Sequence, residues 1–210
     1  MQSASQTPRP RAQGRRTPVI TMTLSAAAIA LVFVATFSFQ LPILATGGYF
    51  NFGDIAIFIL ALTFGPVVGG ISGSIGSSLS DLLGGFGTFA PFTFVIKGLE
   101  GLLAGLISHR RFAGSTVKGW SVSSVLGWVI GSVAMVGGYF LAESFFIALI
   151  FGSSQDTGIA AASSEVPFNI LQVVSGGIVG IPISVALRYA LTQTPYYYNV
   201  FGTLDAKKKT

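Results

Sequence analysis

The chain has 210 residues, 51% hydrophobic and only 9% charged, where a soluble domain carries about 25% charge, so it is an integral membrane protein, of one domain by its length. It has no cysteine and one histidine, His109. That excludes disulfides, thiolate metal sites and a cysteine nucleophile, and argues against a zinc site or a His-dependent serine triad, so no metal is expected. The net charge of +5 sits in the tails and one loop between apolar segments, which is the wrong distribution for a nucleic-acid surface.

A hydrocarbon core about 30 Å thick needs roughly 20 apolar residues per helix. Six segments are predicted, giving an all-α six-helix membrane bundle. The first covers residues 18–39, with Thr17 and Pro18 as N-cap and first helical residue. Its apolar run exceeds the roughly 7–15 residues of a signal-peptide core, so it is expected to be retained. The second, 53–64, is short and stops at Gly65-Pro66; it either spans or dips into the membrane and returns with the third. The third covers 66–83 and the fourth 89–108. The fifth, 121–151, is long enough to require tilt or an interfacial start, and the sixth covers 166–191.

Lys and Arg set the orientation. Arg9, Arg11, Arg15 and Arg16 precede the first segment; Arg110, Arg111 and Lys118 follow the fourth; Arg188, Lys207, Lys208 and Lys209 close the chain. With six spans these regions share one side, so both termini are expected in the cytoplasm. The opposite loops, 40–52, 84–89 and 152–165, hold no Lys or Arg. Residues 1–16 form a basic cytoplasmic tail, 17–191 the membrane domain and 192–210 a cytoplasmic C-terminal tail. No internal repeat is visible, which argues against an inverted-repeat secondary transporter.

Orientation turns the sequence into a depth map. Lys97 falls roughly 10 Å below the outer surface at about 1.5 Å per residue, and Glu100 one turn deeper. Glu143, with Tyr139, falls at similar depth on the fifth segment, and Asn169 and Gln172 on the sixth. Asp81, Asn51 and Asp54 lie at the outer ends of the third and second. Charges in spanning helices usually face a cavity or a partner. Their collection at one depth predicts a hydrated, outward-facing pocket above apolar protein, and not a channel, whose polar lining continues through. Each residue also has a structural alternative. Asn51 and Asp54 resemble a capping box. Asp81 closes a helix end. Lys97 pairs with Glu100 or Glu143. Asn169 and Gln172 bond between helices. Tyr49, Phe50, Phe52, Phe86, Phe89 and Phe92 form either an interfacial belt or a lid that stacks on a flat heterocycle. Small residues recur at four-residue spacing: Ala26 and Ala30; Gly65, Gly69, Gly73 and Ser77; Gly101 and Gly105; Gly127 and Gly131; Gly176 and Gly180. Such stripes let helices approach closely within the bundle or against a partner.

The stretches GGYFNFGD, FGPVVGGISGSIGSSLSDLLGG and APFTFVIKGLEGLLAGL, in that order over residues 47–106, resemble the S component of energy-coupling factor (ECF) vitamin transporters of the riboflavin and hydroxymethylpyrimidine type. The resemblance implies a small six-helix subunit of a prokaryotic plasma membrane that captures a vitamin-like ligand outside. It implies partners: a transmembrane coupling subunit and two cytoplasmic ATPases, with the S component toppling to release its ligand. It places the ligand near Asn51, Lys97, Glu143 and Asn169, and docking on Ala26 and Ala30. There is no Walker A motif, so ATP belongs to the partners and no cofactor to this chain. Trp120 and Trp128 fall towards the cytoplasm, which sets the chain apart from thiamine-binding members. On this reading Lys97 and Glu100 offer a donor and an acceptor to the ligand. Two other classes stand beside it: an intramembrane enzyme using Glu100, Glu143 and Asp81 for acid–base chemistry, and a structural scaffold. The sequence lacks G-x-S-x-G and H-E-x-x-H, which weighs against the enzyme.

Overall fold

The computed structural model describes residues 18–44, 46–109, 117–150, 152 and 154–194. The basic tails, and Arg110 and Arg111 of the basic loop, lie outside the described residues. The element order is α1 (Pro18–Phe37), β1 (Leu41–Ile43), β2 (Gly48–Phe50), α2 (Gly53–Phe64), α3 (Pro66–Gly84), α4 (Ala90–Ser108), α5 (Val117–Ile150) and α6 (Gln155–Thr192). The six predicted helices are therefore present. Four of them, α1, α4, α5 and α6, are individually long and apolar enough to cross a membrane.

The helix α2 is the short one. Its 12 residues rise about 18 Å, short of a bilayer core. Its sequence GDIAIFILALTF is apolar around the whole circumference, and nine of its residues are buried. A helix of that pattern belongs inside a bundle. It packs on α6, α3, α4 and α1. Phe58, Ala61 and Leu62 join one core cluster with Ile96, Ala104, Met135 and Val173. Ala56, Ile57 and Leu60 join another with Ala28, Val32 and Val68. The break to α3 falls where the sequence places it. Gly65 takes φ +98°, a left-handed value open to glycine, and Pro66 starts the next helix, where its missing N–H is harmless.

The helix α3 is rich in glycine and serine, and its glycines carry its packing. A Cβ on Gly69 would lie 2.5 Å from the Ala61 Cβ and 2.8 Å from the Gly101 carbonyl oxygen. A Cβ on Gly101 would collide with the Gly69 carbonyl, and one on Gly73 with the Lys97 carbonyl. On the other side, a Cβ on Gly76 would meet Val32 of α1 at 2.8 Å. The small-residue stripes of α3 and α4 thus serve contacts inside this bundle, where α3 and α4 run backbone to backbone.

Two features differ from the sequence expectation. Residues 40–52, read as a plain loop, contain an antiparallel hairpin with Leu41 opposite Phe50 and Ile43 opposite Gly48. Its strands are three residues long and one holds Pro42, too short and too irregular to show alternation. The helix α6 starts at Gln155 instead of residue 166. Ser-rich sequence followed by Pro167 reads as a helix stop. Instead Ser154 caps the new N-terminus, its Oγ accepting from the Thr157 N–H at 3.3 Å. Gly158, Ala162 and Glu165 bury one face of the added turns, and Pro167 sits in the helix interior. Packing outweighs the single backbone hydrogen bond that proline removes.

The Gly69–Gly101 contact makes a direct prediction. Gly101→Ala adds helix propensity worth about 1 kcal/mol. It also forces apart two touching backbones, and overpacking of this kind costs about 1–3 kcal/mol. The expected result is a lower midpoint in thermal unfolding of the purified protein in detergent. An unchanged or raised midpoint would show that α3 and α4 are not held at this distance.

Candidate ligand-binding site

The polar side chains reach one end of the bundle through helical spacing. On α4, Thr93, Lys97 and Glu100 follow i, i+4, i+7 and are all buried. Ser77 and Asp81 are one turn apart on α3, and Tyr139 and Glu143 on α5. On α6, Glu165, Asn169 and Gln172 again follow i, i+4, i+7 and are buried. The end of α1 adds Thr36, and the hairpin region adds Gly48, Tyr49 and Asn51. Together with Phe89, Ser77, Asp81, Thr93, Lys97, Tyr139, Glu143, Glu165, Asn169 and Gln172 these line a narrow polar cavity.

Beneath the cavity lies the sharpest electrostatic feature. Lys97 Nζ donates to Asp54 Oδ1 of α2 and lies 3.2 Å from Glu100 Oε2 on its own helix. All three side chains are at most 3% exposed. The ammonium also stands 5.6 Å from the Tyr139 ring centroid, in cation–π range. One cation is therefore shared by two carboxyl groups. Asp54 is not a helix cap, since α2 has no side-chain cap bond. Lys97 takes Asp54 and Glu100 as partners, and not Glu143.

The hairpin is tied down over the cavity by side chains from α3, the turn that follows α3, and α6. The Tyr49 hydroxyl donates to Asp81 Oδ1, and its ring lies against Phe86 with centroids 4.3 Å apart. Burial, then the Asp81 carboxylate, push the Tyr49 phenol above its ordinary pKa, so it stays a neutral donor. Thr46 donates to Glu165 Oε2, and the Gly48 N–H donates to Thr46 Oγ1 at 3.1 Å. The Asn51 N–H donates to Gln172 Oε1 at 2.6 Å, while Asn51 Oδ1 accepts from the Gly53 N–H at 2.7 Å. Thr93 and Tyr139 hydroxyls bond at 3.0 Å across α4 and α5.

Seven of the nine sequence candidates thus meet around the cavity: Asn51, Asp81, Lys97, Tyr139, Glu143, Asn169 and Gln172. Asp54 and Glu100 stand behind it as partners of Lys97. Among the aromatics, Tyr49 and Phe89 line the cavity. Phe50 and Phe52 pack with Phe39, and Phe92 packs on Phe146. The sequence reading missed Glu165, which it placed in an outer loop. The available signal was its spacing of four and seven residues from Asn169 and Gln172. Trp128 lies elsewhere, its indole N–H donating to the Val173 carbonyl at 2.7 Å, and Trp120 stacks near Arg188.

A helical membrane bundle with a polar cavity at one end, roofed by a short hairpin, is the class of protein the geometry defines. The sequence matches the family model described as "ECF-type riboflavin transporter, S component" over residues 17–189, and the chain belongs to that family. It is therefore a substrate-binding subunit of a vitamin transporter, a multi-pass membrane protein and not an enzyme. It is 40% identical over 149 residues to a Pyrococcus woesei protein of the gap 3′ region, covering 71% of this chain and 88% of that one. It is 30% identical over 164 residues to the thiamine precursor transporter HmpT of Lactococcus lactis, covering 78% and 84%. The riboflavin transporter RibU of Staphylococcus aureus is 26% identical over 174 residues, covering 80% and 88%. Among solved structures, the S component of a bacterial ECF transporter superposes with a TM-score of 0.60 at 22% identity, over 84% of this chain and all of that one. The S component for biotin from an ECF-type transporter gives 0.56 at 17%, over 90% and 100%. These two share the fold.

The shared cation carries a prediction. Lys97→Met leaves Asp54 and Glu100 buried without a counter-ion, which costs about 3–5 kcal/mol when one partner of a buried pair is removed. The variant is expected to unfold at a distinctly lower temperature than the wild type. The triple variant Lys97→Met, Asp54→Asn, Glu100→Gln is expected to recover part of that loss. A wild-type melting temperature for Lys97→Met would mean that the three groups are not paired in the membrane.

Proposed function

We propose that the chain captures a small vitamin-like heterocycle, of riboflavin or hydroxymethylpyrimidine type, from outside the cell and hands it to an ATP-driven ECF complex. The observation that carries this reading is the cavity itself. It draws polar groups from α1, α3, α4, α5 and α6, and Lys97 in its lining is held by Asp54 and Glu100. A polar cavity gathered at one depth suits capture of a small molecule better than a channel, whose polar lining continues through the membrane. The curated relatives named for riboflavin and a thiamine precursor support a flat heterocycle as the cargo.

The Lys and Arg distribution supports six crossings with both termini in the cytoplasm, so that the cavity faces out of a prokaryotic plasma membrane. The pair α2 and α3 then crosses as one unit, with α2 sheltered from lipid by its neighbours. Release to the cytoplasm needs partners: a transmembrane coupling subunit and two ATPases, since the chain has no Walker A motif. The helix α1 suits docking. Ser25, Ala28 and Val32 are buried in the bundle, whereas Ala26 and Ala30 lie on its exposed face. Small residues there let a partner helix approach closely.

Two experiments test this reading. Native mass spectrometry of the gently purified protein, before and after incubation with a vitamin panel, is expected to show one small heterocycle per chain. A protein that stays empty throughout would overturn it. Ala26→Trp is expected to leave ligand binding unchanged and to cut ATP-driven uptake in cells by about tenfold or more, because a bulky ring blocks a small-residue helix contact. Unaffected uptake would remove α1 from docking.

A further inference from the structure

The end of the bundle away from the cavity carries a groove along the seam of α5 and α6. Ile181, Pro182, Val185, Ala186 and Tyr189 line it from α6, and Ser121 from the start of α5. The α6 residues fall at i, i+1, i+4, i+5 and i+8, so they share one face of the helix. Pro182 and Ala186 have short side chains one turn apart and leave a dent, with Ile181 and Val185 half-buried beside them. The groove is graded along its length. Ile181 and Pro182 lie toward the middle of the bundle and are apolar. Tyr189 lies about 12 Å further along the axis, at the end of the helix. Ser121 is at the same level, because its neighbour Trp120 meets Arg188. The two hydroxyl groups of the groove are thus both at its outer rim. Tyr189 is 55% exposed, an aromatic with a polar tip of the kind that settles at a membrane–water interface.

This end of the bundle is also cationic. Arg188 precedes Tyr189, and its guanidinium stands 5.5 Å over the Trp120 ring. Lys118 is in the first turn of α5, and Arg110 and Arg111 come shortly before it in the chain. The stretches 101–142 and 166–194, which hold these four basic residues, contain no Asp or Glu. Asp81, Glu143 and Glu165 are gathered at the other end, in the cavity.

We propose that this groove holds one anionic phospholipid, with an acyl chain against Ile181, Pro182, Val185 and Ala186 and the phosphate at the end marked by Ser121 and Tyr189. An apolar floor that ends in hydroxyl groups and positive charge repeats the order of groups along a lipid. Arg188 is 7% exposed, so it acts on the headgroup through its field and not by wrapping it. A zwitterionic lipid fills the apolar stretch equally well, but it gains less from the charge, which favours an anionic headgroup by about fivefold for each nearby Lys or Arg. A helix from a protein partner would satisfy the apolar stretch and leave the charge unused. The inference does not depend on what the cavity binds.

The test is native mass spectrometry of the full chain in detergent with equimolar phosphatidylglycerol and phosphatidylcholine of the same acyl chains. The wild type is expected to retain one phosphatidylglycerol, enriched over phosphatidylcholine by about fivefold or more. Ala186→Trp fills the groove from an exposed position and is expected to lose that lipid, with its melting temperature unchanged. Ala186→Phe replaces it if the larger ring disturbs the fold. Equal retention of the two lipids by the wild type would overturn the proposal, and that comparison needs no variant. Retention of phosphatidylglycerol at the wild-type level by the folded variant would also overturn it, by placing the lipid elsewhere. A dimer of the chain that the variant abolishes would assign the groove to a second copy and overturn it as well.

Discussion

One ammonium group buried between two carboxyl groups ties α2 to α4 at the polar end of the bundle. Lys97 sits on α4, Asp54 on α2 and Glu100 one turn along from Lys97. All three are buried away from water, so each carboxyl group depends on the lysine and the lysine on both. The helix α2 is too short to be anchored at both membrane surfaces. Its ion pair and its apolar circumference fix its height and rotation. The cavity floor follows from that, since Lys97 borders the cavity while Asp54 and Glu100 stand behind it. Charge here works as registry, joining a short central helix to a longer spanning one.

The close approach of α3 and α4 is the second constraint and serves the first. Carbonyls of Gly69 and Lys97 lie where side chains on Gly101 and Gly73 would have to be. That contact brings Asp81 near the start of α4 and lets Thr93 and Lys97 share a cavity with it. The hairpin then closes this end of the bundle through contacts to two helices: Tyr49 to Asp81 of α3, and Thr46 and Asn51 to Glu165 and Gln172 of α6. A three-residue strand pair has little stability alone. Its order depends on these polar anchors and on the aromatic group of Phe39, Phe50 and Phe52. Every anchor lies next to the cavity, so the roof and the lining are one network.

The comparison with relatives fits this arrangement at the level of family and fold. The matched region runs from just before α1 to near the end of α6 and so includes every element that contributes to the cavity. Identity to solved S components is low, and the fold persists because it rests on apolar helices and close small-residue contacts, which many sequences satisfy.

By itself, the sequence determined the membrane class, the six helices, most of their bounds and the gathering of polar residues at one end. Those properties are local: hydropathy, 3.6-residue spacing, and the Gly65-Pro66 break act within a turn or two of the chain. The glycine stripes were legible for the same reason. Only the tertiary structure decided which carboxyl groups take Lys97, because Asp54 lies 43 positions away and Glu143 was an equally good candidate on spacing alone. It also decided that Glu165 belongs to the cavity. Pro167 and the serines before it carry a local signal for a loop, and burial of Gly158, Ala162 and Glu165 against the bundle overrides that signal. The hairpin was illegible because its pairing is held by Thr46, Tyr49 and Asn51 contacting residues 32 to 121 positions distant. Distances along the chain do not encode such contacts; they exist only once the helices have packed.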